Sequence, residues 1–494
     1  MSLSAFSFLC RDSRIALNKQ CKLVLICTFG IGIILLLFQL LSTYTSITQK
    51  SVDSSPYSAF TPSLSLDILD DVQYAAVIDA GSSGSRIYIY SWPPHTGDSN
   101  ELLRIRPLVD LTGEPIMKKI EPGLSSVANE PHRASDYISP LLEFACDKIP
   151  PHLHWETPLF ILATAGLRLL NSTQQTSILD DLRHDISRKF NFSFAQSNVE
   201  IISGKQEAVY QWMAINYAFE RFNHDINAPL VAVDVEEHPA NPIIFRKQTL
   251  GILDMGGASM QIGFELTRNV QLKTLQTDQR SHLAEFNLGC LEHGKEHVYH
   301  VYVTTYLGLG ANEVLDLYEK NVTASAAEAA ANENRTSISL LDPCFPNDFI
   351  RTETRDKIVI NVHGDGQLDK CRDQLRPLLK NLTSCPGPNC VFSFITTNFE
   401  SMDWIGFSEF WYSMHDVLRI GGTYSYNRIE KSYNEYCGSK WIFLQTRFAF
   451  ADKKRLRNQC FKLAWIIVVL HDGLGLPLNF SRLRSSPNTV SGQV

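Results

Sequence analysis

The longest apolar segment lies close to the N-terminus of the chain. Residues 23–41 (LVLICTFGIGIILLLFQLL) contain no formally charged side chain. At about 1.5 Å per residue, a helix of this length spans roughly 28 Å, close to the bilayer hydrocarbon core of about 30 Å. Four basic residues and one acidic residue precede it. The positive-inside rule therefore predicts a single membrane anchor, with residues 1–22 in the cytoplasm. A cleaved signal peptide is the alternative, although its apolar core is usually about 7–15 residues.

Beyond this run the pattern changes twice. Residues 42–72 are rich in Ser, Thr and Pro and show little apolar periodicity, which predicts a flexible stalk. From Tyr74 onward, short apolar runs such as AAVIDAG and PLFILATAG are interspersed with stretches of helical spacing near 135–146 and 174–190. Strands interspersed with helices predict an α/β fold.

Two segments of the body repeat one template. VIDAGSSGS (77–85) and ILDMGGASM (252–260) each place an apolar strand before Asp, any residue, Gly and small residues. Two unrelated glycine turns are the alternative interpretation. The repeat instead predicts a duplicated fold whose lobes face each other across a cleft, a common location for ligands.

Both repeats carry residues suited to phosphate and a cation. Gly81 and Gly84 allow a tight backbone turn with inward N–H groups, and the neighbouring serines add hydroxyl donors, as in other phosphate-binding nests. Asp79 and Asp254 stand at predicted strand ends, where they can bind a divalent cation or its waters. Either loop alone is a weak signal, but the pair predicts a site that holds phosphates from two sides.

Two further segments add candidate chemistry. In ISGKQEAVYQW (202–212), Ser203 and Gln206 match a capping box at a helix start. Glu207 follows in the first turn, where the helix dipole favours an acid by about 0.3–1 kcal/mol, so a purely structural role also explains it. LATAGLR (162–168) places Thr164 and Arg168 after another apolar strand, and an ordinary strand-to-helix turn is its plain interpretation.

Composition narrows the class of protein and its partners. The net charge of −7 and the lack of a broad basic patch exclude nucleic acid as an expected partner. Eight of the eleven cysteines follow the anchor, which predicts disulfides in an oxidising compartment but leaves their connectivity open. The sequence also predicts a glycoprotein, because six N-x-S/T sequons occur on the predicted lumenal side: Asn171, Asn191, Asn321, Asn334, Asn381 and Asn479.

Four motifs resemble a known family. DAGSSGSR, ATAGLR, SGKQEAVYQW and LDMGGASMQI are similar, in this order, to the first four regions of the nucleoside triphosphate diphosphohydrolases, or apyrases. The similarity covers about residues 74–471, and GSSGSR is most like the intracellular, lumen-facing branch. The resemblance implies an α/β fold with two ribonuclease-H-like lobes, residues 73–203 and 204–480, of the actin, hexokinase and heat-shock ATPase superfold around a nucleotide cleft.

The resemblance also implies residue roles. Glu207 is implied as the general base, acting on a water positioned by Ser259 and Gln261. Thr164 is implied to contact the terminal phosphate or that water. Ca²⁺ or Mg²⁺ is implied as the cofactor, held through water by Asp79 and Asp254. The residues implied to bind phosphate oxygens are Ser82, Ser83, Gly84 and Ser85 in the first loop and Gly256, Gly257 and Ala258 in the second.

Further implied features lie in the C-terminal half. Tyr412, in GFSEFWYSMHDVLR, and Arg455 are implied as the two faces of a nucleobase slot. The implied disulfides are Cys344–Cys371, Cys385–Cys390 and Cys437–Cys460, while Cys146 and Cys290 either pair with each other or stay free. The family's fifth region is not found, so residues 481–494 form a divergent tail, and the segment that returns to the first lobe is expected to be missing.

The expected function is divalent-metal-dependent hydrolysis of the terminal phosphate of nucleoside di- and triphosphates, with UDP, GDP, UTP and GTP preferred over ATP. A truncated, non-catalytic nucleotide-binding or regulatory isoform is the alternative. The topology predicts a single-pass type II membrane protein with a lumenal catalytic domain, placed in the Golgi, although lysosomal, autophagic and plasma membranes suit the same topology. Oligomeric state is left open.

Overall fold

The structure is a computed structural model that describes residues 72–97, 102–223, 229–233, 244–267, 275, 277–288, 297–383 and 399–487. The predicted cytoplasmic tail, anchor and most of the stalk, together with Cys290, the Cys385–Cys390 pair and the last seven residues, lie outside the described residues. Among the helices that are described, none is both long and apolar enough to cross a membrane.

The described strands are β1 (Gln73–Ala80), β2 (Ser85–Trp92), β3 (Arg106–Pro107), β4 (Met117–Ile120), β5 (Leu159–Ala163), β6 (Val199–Ile201), β7 (Leu230–Val233), β8 (Ile244–Lys247), β9 (Gly251–Met255), β10 (Ser259–Glu265), β11 (Leu283–Asn287), β12 (Val298–Leu307), β13 (Ser337–Asp342), β14 (Ile350–Arg355), β15 (Ile358–Gly364), β16 (Trp404–Ser408) and β17 (Leu483–Ser485).

The described α-helices are α1 (Ala134–Lys148), α2 (Ala165–Arg168), α3 (Ser172–Lys189), α4 (Gly204–Ala218), α5 (Thr277–Arg280), α6 (Ala311–Asn332), α7 (Leu368–Thr383), α8 (Glu409–His415), α9 (Tyr426–Cys437), α10 (Trp441–Arg447) and α11 (Lys453–Ile467). A π-helical turn, Val468–Gly473, continues α11. The helices predicted near 135–146 and 174–190 are confirmed as α1 and α3.

Two sheets share one topology. The first has the order β3-β2-β1-β5-β6, with β4 also paired to β2, and the second has the order β11-β12-β10-β9-β16-β17. In each sheet a central strand, β1 or β9, pairs antiparallel with the hairpin strand that follows it. On its other side it pairs parallel with β5 or β16, which in turn pairs parallel with β6 or β17. The predicted duplicated α/β fold is therefore confirmed.

The hydrophobic core of the first sheet follows from alternation along its strands. Ala76, Ile78 and Ala80 of β1 are fully buried and pack in one cluster with side chains of α1 and α3, while the residues between them are partly exposed. This period of two places Asp79 on the opposite face of the sheet from that core. A separate and larger core surrounds β9 and β10 and includes α6, α7, α9 and α11. Asp79 therefore lies near the end of a well-packed strand.

Two of the implied disulfides are confirmed. Cys344 bonds to Cys371 and Cys437 bonds to Cys460, in the part of the chain that carries α7, α9 and α11. Among the cysteines that the structure describes, Cys146 has no disulfide partner, and it is half-buried.

Residues 481–494 are the segment that the sequence analysis describes as a divergent tail. The described part of this segment adds a strand to the second sheet. Its residues 483–485 form β17, which pairs in parallel with β16 through Trp404–Leu483, Ile405–Arg484 and Gly406–Ser485. Leu483 and Ser485 are buried. The described part of this segment therefore contributes to the second core.

Replacing both Cys437 and Cys460 with Ser is expected to lower the free energy of unfolding by about 2–4 kcal/mol. The bond joins residues 23 positions apart and ties α9 to α11, so its loss gives the unfolded chain more freedom. Urea unfolding of the full chain, compared with Cys146→Ser as a matched control, measures this difference. Equal unfolding midpoints for the double variant and the wild type would contradict the expectation.

Candidate active site

The first glycine loop turns the chain tightly between β1 and β2. The Gly81 N–H donates to the Gly84 carbonyl at 3.1 Å, which closes the turn. Asp79 stands one residue before the end of β1, and its Oδ2 lies 3.5 Å from Nη1 of Arg86 on β2. A carboxylate and a guanidinium therefore flank this loop.

The two glycine loops lie against each other. A Cβ placed on Gly257 would lie 2.7 Å from Oγ of Ser82, so the second loop touches the first where neither has room for another atom. A Cβ on Gly166, in the ATAGLR motif, would lie 2.7 Å from the Ser82 Cα. Three motifs distant in sequence therefore meet around Ser82, as the duplicated arrangement predicts.

Backbone bonds from α6 hold the second loop. The Gly256 N–H donates to the Ser259 carbonyl at 2.9 Å, and the N–H groups of Ala311 and Asn312 donate to the carbonyls of Gly256 and Gly257, each at 3.0 Å. A Cβ on Gly310 would lie 2.3 Å from the Ala258 nitrogen, which explains a glycine at this contact. The loop conformation is thus fixed by the start of a 22-residue helix.

Glu207 is anchored through one carboxylate oxygen. The predicted capping box, Ser203 with Gln206, is confirmed at the start of α4 and places Glu207 in the first turn. Its Oε2 accepts from Nη2 of Arg168 at 2.6 Å and from Nε2 of Gln261 at 2.9 Å. In the described part of the chain, Oε1 accepts no hydrogen bond.

Ser259 completes this group. Gln261 Nε2 lies 2.7 Å from its Oγ, and Nη2 of Arg168 lies 3.4 Å from the same atom. Only 11% of the Glu207 side chain is exposed. Burial raises the pKa of Glu207, and the Arg168 charge opposes that rise. The structure therefore brings together three residues predicted for catalysis, around a carboxylate whose pKa depends on an arginine.

Two further carboxylates lie in the electrostatic field of Glu207. Asp254, at 4% exposure, has its pKa raised to about 7, first by burial and then by the charges of Glu207 and Asp79, against hydrogen bonds from Ser408 and Gln211. Desolvation also raises the pKa of Asp79, although 39% of its side chain is accessible, while Arg86 lowers it. This crowding of negative charge is what a divalent cation would relieve.

The buried oxygens also fit a cation. Oε1 of Gln211, whose Nε2 donates to Asp254 Oδ2 at 2.6 Å, is buried and has no hydrogen-bond partner among the described residues. Over the described ranges, no group of three or more His, Cys, Asp or Glu side chains is arranged to ligate a metal. Asp79 and Asp254 could therefore hold a cation that keeps several of its own waters, as Mg²⁺ commonly does.

The predicted nucleobase residues also meet. The guanidinium carbon of Arg455 lies 5.9 Å from the centroid of the Tyr412 ring. Arg455 belongs to the first turn of α11 and donates to Asp416. A base stacked between Tyr412 and Arg455 needs a van der Waals distance of about 3.5 Å on each side. The sum of the two distances is larger than the 5.9 Å between them, so Arg455 has to move outward before a base can enter. Its side chain is 52% exposed, which leaves room for that motion.

The structure also describes three other predicted site residues: Thr164, Ser83 and Ser85. The Thr164 N–H donates to the Ala80 carbonyl at 3.2 Å, which ties the ends of β5 and β1, while its hydroxyl makes no cap bond to α2. Ser83 is exposed. Ser85 is fully buried, and its Oγ accepts from the Tyr137 hydroxyl at 3.2 Å, so its side chain is bonded away from the loop surface.

Two residues of this site received no role from the sequence. Arg168 lies in a quoted motif but looked like part of an ordinary turn, because its contacts to Glu207 and Ser259 span large sequence separations. Gln211 follows Glu207 by four positions on α4, so helical spacing alone places both on one face. That spacing is the signal that could have identified Gln211.

Comparisons with known proteins identify the family of this chain. The GDA1/CD39 (nucleoside phosphatase) family matches residues 66–493. The chain is 41% identical over 429 residues to ectonucleoside triphosphate diphosphohydrolase 7 of Xenopus tropicalis, covering 84% of this chain and 70% of that protein. It is 36% identical over 434 residues to nucleoside-diphosphatase mig-23 of Caenorhabditis briggsae, covering 85% of this chain and 74% of that protein.

A solved structure shares the fold. The crystal structure of nucleoside triphosphate hydrolases from Neospora caninum superposes with a TM-score of 0.56 at 16% identity, covering 90% of this chain and 92% of that one. At this identity the likeness supports the fold alone, and the family match and the curated relatives carry the assignment. The chain belongs to the GDA1/CD39 family of nucleoside phosphatases.

Proposed function

We propose that this chain hydrolyses the terminal phosphate of nucleoside di- and triphosphates, with Glu207 as the general base and a divalent cation bound near Asp79 and Asp254. The observation that carries the proposal is the anchoring of Glu207 Oε2 by Arg168 and Gln261, which leaves Oε1 without a hydrogen bond among the described residues. A carboxylate held by one oxygen can accept a proton at the other.

The proposed reaction is a direct attack by water. Backbone N–H groups of the two glycine loops bind the phosphate oxygens, and Ser259 Oγ with the Gln261 amide orients the water. Glu207 Oε1 takes a proton as the water oxygen forms a bond to the terminal phosphorus. The bond from phosphorus to the bridging oxygen then breaks, and the nucleotide leaves with that oxygen and its electron pair. Catalysis of this kind rests mainly on positioning and charge neutralisation.

Charge neutralisation is assigned to the cation and Arg86. When bound, Ca²⁺ or Mg²⁺ neutralises phosphate charge. Arg86 lies beside Asp79, and its charge also acts on Tyr412, so its field reaches both the phosphate loop and the proposed base slot. Thr164, at the junction of β1 and β5, is proposed to contact the terminal phosphate.

Substrate preference is proposed from the first loop and the base slot. Stacking between Tyr412 and Arg455 reads no base edge, which favours broad base tolerance. A Cβ on Gly84 would lie 2.7 Å from the Ile120 carbonyl oxygen, so the loop that marks the lumen-facing branch leaves no room for a side chain here. Within that broad tolerance, the preference for UDP, GDP, UTP and GTP over ATP is proposed from the resemblance of GSSGSR to the lumen-facing branch.

Phosphate release tests the proposed function. The full chain in detergent is assayed with UDP, GDP, UTP, GTP and ATP, with Ca²⁺ or Mg²⁺ and with a chelator. We expect metal-dependent release, fastest with the uridine and guanosine nucleotides. Release that persists in the chelator would contradict the metal requirement. Folded protein that binds nucleotide without releasing phosphate would favour the non-catalytic alternative.

A lumenal location in the Golgi is proposed for the catalytic body. The two disulfides support an oxidising compartment. The sequon asparagines are also exposed at all six positions, Asn171, Asn191, Asn321, Asn334, Asn381 and Asn479.

Enzymatic removal of N-linked glycans is expected to increase the electrophoretic mobility of the protein expressed in cells with a secretory pathway. Exposed sequons in the lumen are accessible to the glycosylation machinery, whereas cytoplasmic ones are not. The control is a variant in which all six sequon asparagines are Gln, whose mobility should not respond. A wild-type protein that also does not respond would contradict the lumenal topology.

Replacing Arg168 with Met is expected to move the acidic limb of the kcat/KM profile upward by about one to three pH units. The Arg168 charge lowers the pKa of Glu207, so its removal raises that pKa and leaves the base protonated up to a higher pH. Arg168→Lys keeps the charge and serves as the matched control, with a limb near that of the wild type. A limb in Arg168→Met that stays in place or moves to lower pH would contradict this role.

A further inference from the structure

A buried amide oxygen beside Asp254, Oε1 of Gln211, lacks a donor. Gln211 donates its Nε2 to Asp254 Oδ2 at 2.6 Å, which turns its Oε1 away from that carboxylate oxygen. Oε1 of Gln211 is buried and has no hydrogen-bond partner within the described ranges, whereas Ser408 also donates to the Asp254 carboxylate. A buried acceptor without a donor is destabilising, so this oxygen indicates that a bound group supplies a donor.

The surrounding protein does not explain this arrangement as packing alone. Gln211 lies one helical turn after Glu207 on α4, and the two side chains bond Asp254 of β9 and Gln261 of β10. The bond from Nε2 to Asp254 Oδ2 explains the amide nitrogen, but it leaves the buried Oε1 of the same amide without a role in packing. The charges of Asp79 and Glu207 both act on Asp254, so a donor at this position faces a negative field.

Resting on the proposed function, we propose that Gln211 is part of the cation site: its Oε1 accepts a hydrogen bond from a water on the cation, while its Nε2 fixes the orientation of Asp254. An amide suits this position because it supplies an acceptor oxygen without adding a fourth negative charge beside Asp79, Glu207 and Asp254. Groups that orient a metal ligand or its water commonly change metal affinity about 10–100-fold when removed.

Binding of Mn²⁺ alone to the full chain in detergent, followed by electron paramagnetic resonance, tests this role without relying on turnover. Gln211→Met keeps the length of the side chain and removes both polar atoms, and we expect it to weaken Mn²⁺ binding about tenfold or more. Gln211→Glu keeps an acceptor oxygen but loses the Nε2 donor, so its Mn²⁺ affinity should stay well above that of Gln211→Met. Tyr210→Met, an exposed neighbour on the same helix, is the matched control and should bind as the wild type does.

The two variants separate cation binding from packing. A purely structural role predicts that Met is tolerated and that Glu, beside Asp254, weakens binding, and that pattern would overturn the inference. If Gln211→Met fails to fold, as shown by circular dichroism, the Glu variant decides alone: loss of Mn²⁺ binding overturns the inference and retention supports it.

Hydrolysis assays on the same preparations separate this inference from the proposed function. Weakened Mn²⁺ binding in Gln211→Met beside a wild type that hydrolyses no nucleotide would support the cation role and defeat the function. Active wild type with unchanged Mn²⁺ affinity in Gln211→Met would defeat the cation role and leave the function standing.

Discussion

Replacing Glu207 with Gln is expected to lower kcat by about 10²–10⁴-fold while the protein keeps its fold. Gln has the shape of Glu but cannot take a proton from water at neutral pH. The substitution also removes a charge that is 11% exposed and paired with Arg168 at 2.6 Å. Steady-state phosphate release with UDP and Mg²⁺, measured beside the thermal unfolding midpoint, gives both quantities.

The matched control for this variant is Asp136→Asn. Asp136 is also an acid in the first turn of a helix, α1, but it is exposed and pairs with Lys189 on the surface. Its amide variant should therefore release phosphate at the wild-type rate. A Glu207→Gln enzyme within about threefold of the wild type would assign the proton transfer to another group, since a general base contributes at least about 10²-fold.

Gly257→Ala is expected to lower kcat/KM by about 10²-fold, because the added Cβ would force the two phosphate loops apart. That Cβ would lie 2.7 Å from Ser82 Oγ and 2.9 Å from Asn312 Nδ2. Both distances are too short for a Cβ contact, so atoms must move at the point where the loops face each other. Both obstructing atoms are side-chain ends, which can shift without unfolding the domain. The expected signature is a loss of activity with a small change in thermal stability.

The neighbouring glycine provides the comparison for this effect. A Cβ on Gly256 would meet only the Ser259 carbonyl oxygen, at 3.5 Å, an ordinary van der Waals distance. Gly256→Ala should therefore lose less activity than Gly257→Ala under the same assay. Equal losses would show that any added methyl in the second loop is harmful, and the contact between the loops would then not be the cause.

The fold could be predicted largely because its signals are local. The strand–Asp–Gly template around Asp79 and Asp254 marks the central strand of each sheet, and both sheets have the same order and directions. The capping box of Ser203 and Gln206 marks the start of α4, and both residues belong to the same helical turn. Such patterns depend on residues that are close in sequence, so they can be recognised without knowledge of tertiary contacts.

The features of the site that the sequence did not predict depend on contacts between distant segments. Arg168 reaches Glu207 across 39 positions and Ser259 across 91, and no periodicity encodes such pairings. Ser85 looked equivalent to Ser82 in the loop sequence, but strand alternation buries it against Tyr137. The segment after residue 480 similarly lacks a recognisable motif, yet β17 pairs with β16 by backbone bonds that tolerate many sequences.

The most direct test of the central claim is hydrolysis of UDP by the full chain in water enriched in oxygen-18, with the products analysed by mass spectrometry. Direct attack by water on the terminal phosphorus predicts a single oxygen-18 in each inorganic phosphate and none in the released UMP. Label in UMP would place the attack on the other phosphorus and contradict the proposed orientation of the substrate against Glu207. Absence of product from folded, nucleotide-bound protein would contradict the enzyme itself.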